Sequence, residues 1–338
     1  MSESRRLADL SDVHALMAQA VAAPEPALAP LYGWLRYHLG WAEIDGTPAQ
    51  RRTAKGVRPR ACLLAAAATG GNPAQAIPCA AAVELTHEFS LIHDDIQDGD
   101  KTRRGRPTLW TEVGEAQAIG AGDLLWAIAR RLLGETRVAP ERLVDLQRRY
   151  DRACARLAEG QHLDLAFEQR DDVTPADYRL MIAGKTGALL GLATALGAGA
   201  ADASASVMAA LGRFGETVGV AFQMRDDWLG LWGDPAHTGK PVAADLIRRK
   251  KSLPILLALG EPELGDRLRA LLSQSEIAPA EATRMARTMA EAGIGERVEA
   301  EAGEMIVEAR TALAALSLEA EPSQALDDLA RRAVDRAR

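Results

Sequence analysis

The sequence predicts an all-α protein, a bundle of ten or more helices in a single domain over residues 1–338. Three observations carry that expectation. Apolar residues make up 48% of the chain and are led by Ala and Leu, which favour helix, while stretches rich in β-branched residues are few. Apolar residues recur at helical spacing almost throughout. No fixed-period repeat and no low-complexity linker divides the chain, apart from the Ala/Pro-rich "VAAPEPALAP" near the start. A length of 338 residues suits one large domain or two ordinary ones.

The totals also exclude classes of function. A net charge of −7 argues against general nucleic-acid binding. Cys62, Cys79 and Cys154 show no metal-ligand spacing, and three isolated cysteines suit a reducing cytoplasm. The opening "MSESRRLADLSDVHALMAQA" has two arginines but no long apolar run behind them, so no signal peptide is read. The most apolar stretch, "GALLGLATALGAGAADA", is broken by glycines and too short for a good membrane span, so it is expected as a buried helix.

Along the chain, "GGNPAQ" at 70–75 and "GDPAHTGKP" at 233–241 punctuate as turns. Between residues 81 and 98 a helix with two stripes is expected. Leu85, Phe89, Ile92 and Ile96 form one. His87, Ser90, Asp94 and Asp98 form the other, on roughly the opposite side at about 100° per residue. Leu211, Phe214, Val218 and Phe222 step by three, four and four along a later helix. The block after residue 260 reads as amphipathic helices that close the bundle.

The chemistry concentrates in "LIHDDIQDGDKTRRGRPT", residues 91–108. Surface charge is the default reading of any pair of acids. Here, however, Asp94, Asp95 and Asp98 crowd one helix end, and carboxylates one turn apart repel. A divalent cation removes that cost. Mg²⁺ takes hard oxygen ligands and commonly bridges carboxylates to substrate phosphates. Arg103, Arg104 and Arg106 follow directly, and guanidinium groups bind phosphate oxygens through charge-assisted hydrogen bonds. Acids for a metal beside arginines for phosphate point to a diphosphate site. "FGETVGVAFQMRDDWLGLWGD" repeats the logic, with Asp226 and Asp227 ending an amphipathic helix and Gln223 one turn before Asp227. "GKTG" at 184–187 lacks the glycine-rich spacing of a P-loop and follows no strand, so that reading is rejected. Gln161 and Asp164 share a helix face, suited equally to orienting a lysine near the diphosphate and to a helix–helix hydrogen bond. "RRKK" at 248–251 reads as a solvated loop.

Taken together, "LTHEFSLIHDDIQDGDKTRRGRPTLW" and "FQMRDDWLGLWGDPAHTGKPVAADLIRRKKSLPILLAL" resemble the trans-isoprenyl diphosphate synthases, or polyprenyl synthetases. The similarity runs from about Leu31 to Leu259 and includes "KGVRPRACLL", "EGQHLDLAFE" and "MIAGKTGALL". The resemblance implies an isoprenoid-synthase-type helical bundle around a central apolar cavity, usually a homodimer, without a transmembrane segment. It implies that three Mg²⁺ ions, held by the two acidic motifs, bind the diphosphate of an allylic substrate. The allylic carbon ionises, and isopentenyl diphosphate attacks it to give a chain longer by five carbons. Asp94, Asp95 and Asp98 match the first metal motif, and Asp226 and Asp227 the second. Arg103, Lys185, Thr186, Gln223, Lys240 and Lys250 match positions that hold or neutralise the allylic diphosphate. Lys55, Arg58, His87 and Arg104 match positions that bind isopentenyl diphosphate.

Two positions depart from the pattern. Gly56 stands at an arginine position in "KGVRP", and Gly230 stands at the third acid of the second motif, with Asp234 four residues on. They keep open a terpene-cyclase-like enzyme or a prenyltransferase with another acceptor, and a non-catalytic partner subunit. Lys55, Arg58 and His87 favour elongation over the first, and the three aspartates argue against the second. In the resembled family the residues four and five before the first aspartate, here Ser90 and Phe89, help set the cavity floor. That pattern points to a medium chain of fifteen or twenty carbons, twenty favoured, with simple core packing an equal reading of Phe89.

Overall fold

The computed structural model describes residues 10–49, 56–234 and 242–335. The all-α expectation holds. The chain runs α1 (Leu10–Ala20), α2 (Ala29–His38), α3 (Val57–Ala68), α4 (Ile77–Gln97), then the short strands β1 (Thr102–Arg103) and β2 (Arg106–Pro107). It continues through α5 (Leu109–Val113), α6 (Glu115–Gly134), α7 (Pro140–Glu168), α8 (Pro175–Ile182), α9 (Ala188–Ala200) and α10 (Ala205–Trp232). The last helices are α11 (Ala244–Ile247), α12 (Leu253–Leu259), α13 (Pro262–Leu272), α14 (Pro279–Glu291), α15 (Ile294–Ala314) and α16 (Ala320–Val334).

These elements form two compact units. The first takes residues 1–149, 193–209 and 318–323, and the second takes 150–192, 210–317 and 324–338. In the first, α4 is the central element and packs against α1, α3 and α6. Its first half is lined with small residues, and Cys79, Ala80, Ala81, Ala82 and Val83 are fully buried, which brings neighbouring backbones close. Leu85 and Ile92 are buried as the expected stripe requires. Phe89 is only half-buried and meets His93 edge-on at 5.7 Å and Trp126 at 6.4 Å between ring centroids.

In the second unit, one apolar cluster joins Phe167, Tyr178 and Met181 to Val220 and Met224 of α10 and to Leu253 and Leu256 of α12. A second surrounds Leu231, Leu246 and the inner faces of α13 and α14. The expected face of α10 is real, with Leu211, Phe214 and Val218 buried. That helix runs on to Trp232, so Asp226 and Asp227 sit inside it and not at its end as the sequence suggested.

The apolar "GALLGLATALGAGA" stretch is longer in helix than the quoted letters suggest. Pro175–Ala200 forms a 26-residue helical run that is long and apolar enough to cross a membrane by length and composition. In its most apolar window 78% is buried inside the protein, which agrees with a core helix. Residues 183–187 of that run are π-helical, an irregularity that recurs at functional sites.

Candidate active site

Each unit carries one of the two acidic groups. In the first unit, Asp94 and Asp95 occupy the last turn of α4, and Asp98 caps it. Asp98 is exposed, Asp94 is half-buried and Asp95 is 1% exposed. The chain then turns back as the hairpin β1–β2, whose two turn residues, Arg104 (φ 52) and Gly105 (φ 74), lie in the left-handed region that two-residue hairpins need. This return delivers the arginines to α4. Arg103 Nε donates to Asp95 Oδ1 at 2.6 Å. Both terminal nitrogens of Arg104 donate to Glu88, at 3.0 and 3.3 Å. Arg106 is structural: it donates to the carbonyls of Tyr37 and Ala42 and lies 3.9 Å over the Tyr37 ring. A cavity of about 50 Å³ is lined by Tyr37, His38, Asp95 and the three arginines.

The residues expected to bind isopentenyl diphosphate also gather here. Arg58 at the start of α3, His87 on α4 and Arg104 are close enough for the two guanidinium charges, after burial, to hold His87 well below its usual range. Two buried acids lie beside them, and they differ in charge. Burial, then Glu88, raises the Glu84 carboxyl to about 7. Glu88 itself is held low, because contacts from His38 and Arg104 outweigh its large burial penalty. Sequence reasoning missed Glu84, Glu88 and His38. The one available signal was two acids a turn apart within an otherwise apolar helix. Lys55 lies outside the described residues, as does Lys240.

In the second unit, Asp227 is knitted into a hydrogen-bond chain. Thr186 Oγ1 donates to Gln223 Oε1 at 2.8 Å, and Gln223 Nε2 donates to Asp227 Oδ1 at 2.9 Å. Tyr178, also missed, donates its hydroxyl to the other oxygen, Asp227 Oδ2, at 2.6 Å. Lys185 pairs with Asp164 at 2.5 Å. That pairing needs α7 and the π-helical turn to touch. A side chain on Gly160 would strike the Lys185 backbone nitrogen, and one on Gly184 would lie 2.6 Å from the Arg156 carbonyl oxygen. Burial and then Asp245 raise the Asp227 carboxyl, while Lys250 pulls it down, so Lys250 does approach the acidic group.

Both departures from the family pattern have a local cause. Gly56 caps α3 at φ 61, and a Cβ there would also meet Leu10, so an arginine at this position is strained twice. A Cβ on Gly230 would land on the carboxylate of Asp245, 2.9 Å from its Oδ1. Asp245 is held there because α11 folds back onto the end of α10 through the Ala243 N to Leu231 O bond at 3.2 Å. The Asp245 carboxylate, fifteen residues on, thus lies against Gly230, which the spacing of the motif could not show.

Among the described residues no three His, Cys, Asp or Glu side chains converge on one point. A cation that takes one or two carboxylates and completes its shell with water and phosphate does not need such a cage. Asp95 fits that part. Its Oδ2 is buried without a hydrogen-bond partner, the kind of atom a hard cation satisfies. Asp227 in the second unit differs, because Gln223 and Tyr178 already donate to its two oxygens.

Comparison with known proteins agrees with this geometry. The sequence model of the family described as Polyprenyl synthetase matches residues 48–289. A geranylgeranyl diphosphate synthase of Mycobacterium tuberculosis is 46% identical over 250 residues, covering 74% of this chain and 70% of that protein. A (2E,6E)-farnesyl diphosphate synthase of the same species is 38% identical and covers 92% and 87% of the two chains. Among solved structures, a polyprenyl synthetase from Streptomyces coelicolor superposes with a TM-score of 0.89 at 37% identity, over 96% of this chain and 97% of that one.

Proposed function

The chain belongs to the polyprenyl synthetase family, and on that premise we propose that it condenses an allylic diphosphate with isopentenyl diphosphate to a medium-chain, all-trans polyprenyl diphosphate. One observation carries the reading: a buried carboxylate with an unused oxygen, Asp95, in contact with an arginine, Arg103, on a hairpin that directly follows it. That is a metal ligand beside a phosphate ligand. Relatives that make geranylgeranyl, farnesyl and geranylfarnesyl diphosphates support the medium chain length, and twenty carbons is the favoured product.

We assign the roles as follows. Asp94, Asp95 and Asp98 would hold Mg²⁺ in the first unit, and Asp226 and Asp227 would hold it in the second, three ions in all. When bound, Mg²⁺ supplies Lewis-acid stabilisation of the departing diphosphate. The chain's own residues do the rest. Arg103, Lys185, Lys240 and Lys250 neutralise the allylic diphosphate, and Thr186 and Gln223 fix the orientation of Asp227. Arg58, Arg104 and His87, with Lys55, hold isopentenyl diphosphate so that its double bond attacks the allylic carbon. His87 is kept neutral by burial and by its arginine neighbours, so it serves as a hydrogen-bonding group and not as a fourth cation. Ser90 and Phe89 bound the growing chain. The protein acts in the cytoplasm as a homodimer, for which α6 offers Ile119 and Trp126, two large apolar side chains 46% and 42% exposed.

The test is a product assay. Purified protein with Mg²⁺ receives isopentenyl diphosphate and dimethylallyl, geranyl or farnesyl diphosphate, and products are read by mass spectrometry before and after phosphatase. Linear diphosphates longer by five-carbon steps are expected. Release of diphosphate without elongation would point instead to cyclisation or to another acceptor, and no reaction at all to a non-catalytic subunit.

A further inference from the structure

Two ion pairs tie the hairpin β1–β2 to α4, and they differ in kind. Both acids are on α4, seven residues apart, so about 10 Å of helix separates them. Both are 1% exposed. Glu88 is fully committed. Its two oxygens accept from the two terminal nitrogens of Arg104, and His38 Nε2 lies 3.0 Å from Oε2. Asp95 is half committed. Arg103 takes Oδ1 and Oδ2 has no hydrogen-bond partner.

The difference decides what an incoming ligand can do. A cation reaching Oδ2 of Asp95 meets the guanidinium already on Oδ1, and a diphosphate reaching Arg103 meets the carboxylate. Each ligand alone must act against the existing pair. Together they dissolve it, because the cation takes the carboxylate while the diphosphate takes the arginine. Glu88 presents no unused oxygen, so its pair with Arg104 survives the exchange. Glu88 occupies two of the five guanidinium N–H groups and leaves three for substrate. It also fixes a side chain whose backbone, at φ 52, sits in a region that ordinary residues adopt at a cost.

We propose that Glu88 is a positioning residue: it anchors Arg104 and the hairpin throughout, while Asp95 and Arg103 form an exchangeable pair that makes cation binding and diphosphate binding depend on each other. This rests on the reading that Asp95 receives a cation and that the two arginines receive diphosphate groups. It adds an acid to the site that binds neither, and it assigns Arg103 a second role when the site is empty.

The experiment measures Mn²⁺ binding to the full-length protein by paramagnetic resonance, with and without inorganic diphosphate, correcting for the free Mn²⁺–diphosphate complex. In the wild-type protein each ligand should tighten the other. Arg103→Gln should raise Mn²⁺ affinity in the absence of diphosphate by about tenfold, the scale of one charge-assisted hydrogen bond removed from the competing side. The enhancement by diphosphate should shrink with it, since coupling is reciprocal. A site arginine that acts only on phosphate predicts no such gain, so an unchanged or weaker Mn²⁺ affinity in Arg103→Gln overturns the exchange. Glu88→Gln should weaken diphosphate binding about tenfold, the loss expected for a disturbed supporting contact, without the gain in Mn²⁺ affinity. Arg104→Lys keeps the charge but loses the two-point contact with Glu88, and should behave alike. Wild-type diphosphate affinity in both variants overturns the role of Glu88. Failure of the wild-type protein to bind Mn²⁺ overturns instead the metal reading on which the proposal stands.

Discussion

Glu84 offers the clearest quantitative test of the buried charge in the first unit. It lies one turn before Glu88 and is 3% exposed. Burial, and after it the charge of Glu88, raises its carboxyl from 4.5 to about 7, against the pull of Arg58 and Arg104. Between those two pH values the folded protein holds a proton that the unfolded chain has released. Stability therefore falls as pH rises through that window. At about 1.4 kcal/mol for each factor of ten in proton affinity, the full loss is roughly 3 kcal/mol. Glu84→Gln puts a neutral group of similar shape in the same place, so the variant should match the wild-type protein at pH 4.5 and exceed it by about that amount above pH 7. The assay is chemical denaturation of both proteins from pH 4.5 to 8, reading the difference between the two curves. Asp227 is also raised, but it is common to both proteins and cancels. Glu88 is held low, so its contribution is full above its unfolded value and is lost only as pH falls below about 4.5, outside the window. Parallel curves for the two proteins would refute the assignment of a buried, proton-holding Glu84.

Three further outcomes are expected. Asp94→Ala should remove a metal ligand and abolish turnover while leaving the fold intact, checked by release of diphosphate together with circular dichroism; turnover near wild type would discredit the site. Phe89→Ala should lengthen the product by at least one five-carbon unit, because it removes the ring, in contact with His93 and Trp126, that is proposed to bound the growing chain; an unchanged product spectrum by mass spectrometry would return Phe89 to simple packing. Gly230→Asp, which restores the motif on paper, should destabilise the protein by about 1–3 kcal/mol, the cost of overpacking, because the new side chain meets Asp245; a thermal melt equal to wild type would show that the two positions do not share space.

The last of these shows where the sequence was legible and where it was not. Helix α4 was readable because its two stripes are set by the local period of a helix, and a local period needs no knowledge of the rest of the chain. The same holds for Gln223 and Asp227, one turn apart, which do bond at 2.9 Å. Reading failed wherever a partner came from a distant segment. Tyr178 reaches Asp227 across forty-nine residues, and Arg104 reaches Glu88 across sixteen. Glu88 lies between the two stripes and reads as ordinary surface charge; it is buried only because a hairpin and the end of α2 cover it. The glycines failed for a related reason. A missing side chain is visible in the letters, but the φ of 61 at Gly56 and the carboxylate standing over Gly230 are properties of the folded chain. Both departures looked like signs of altered chemistry, and at both the neighbouring side chains of the folded chain occupy the space a side chain would need. The second even keeps a carboxylate in the vacant space. The case for chain elongation rests on the residues that remain: Asp95 with its unused oxygen, Arg103 upon it, and Arg58, His87 and Arg104 gathered two turns away.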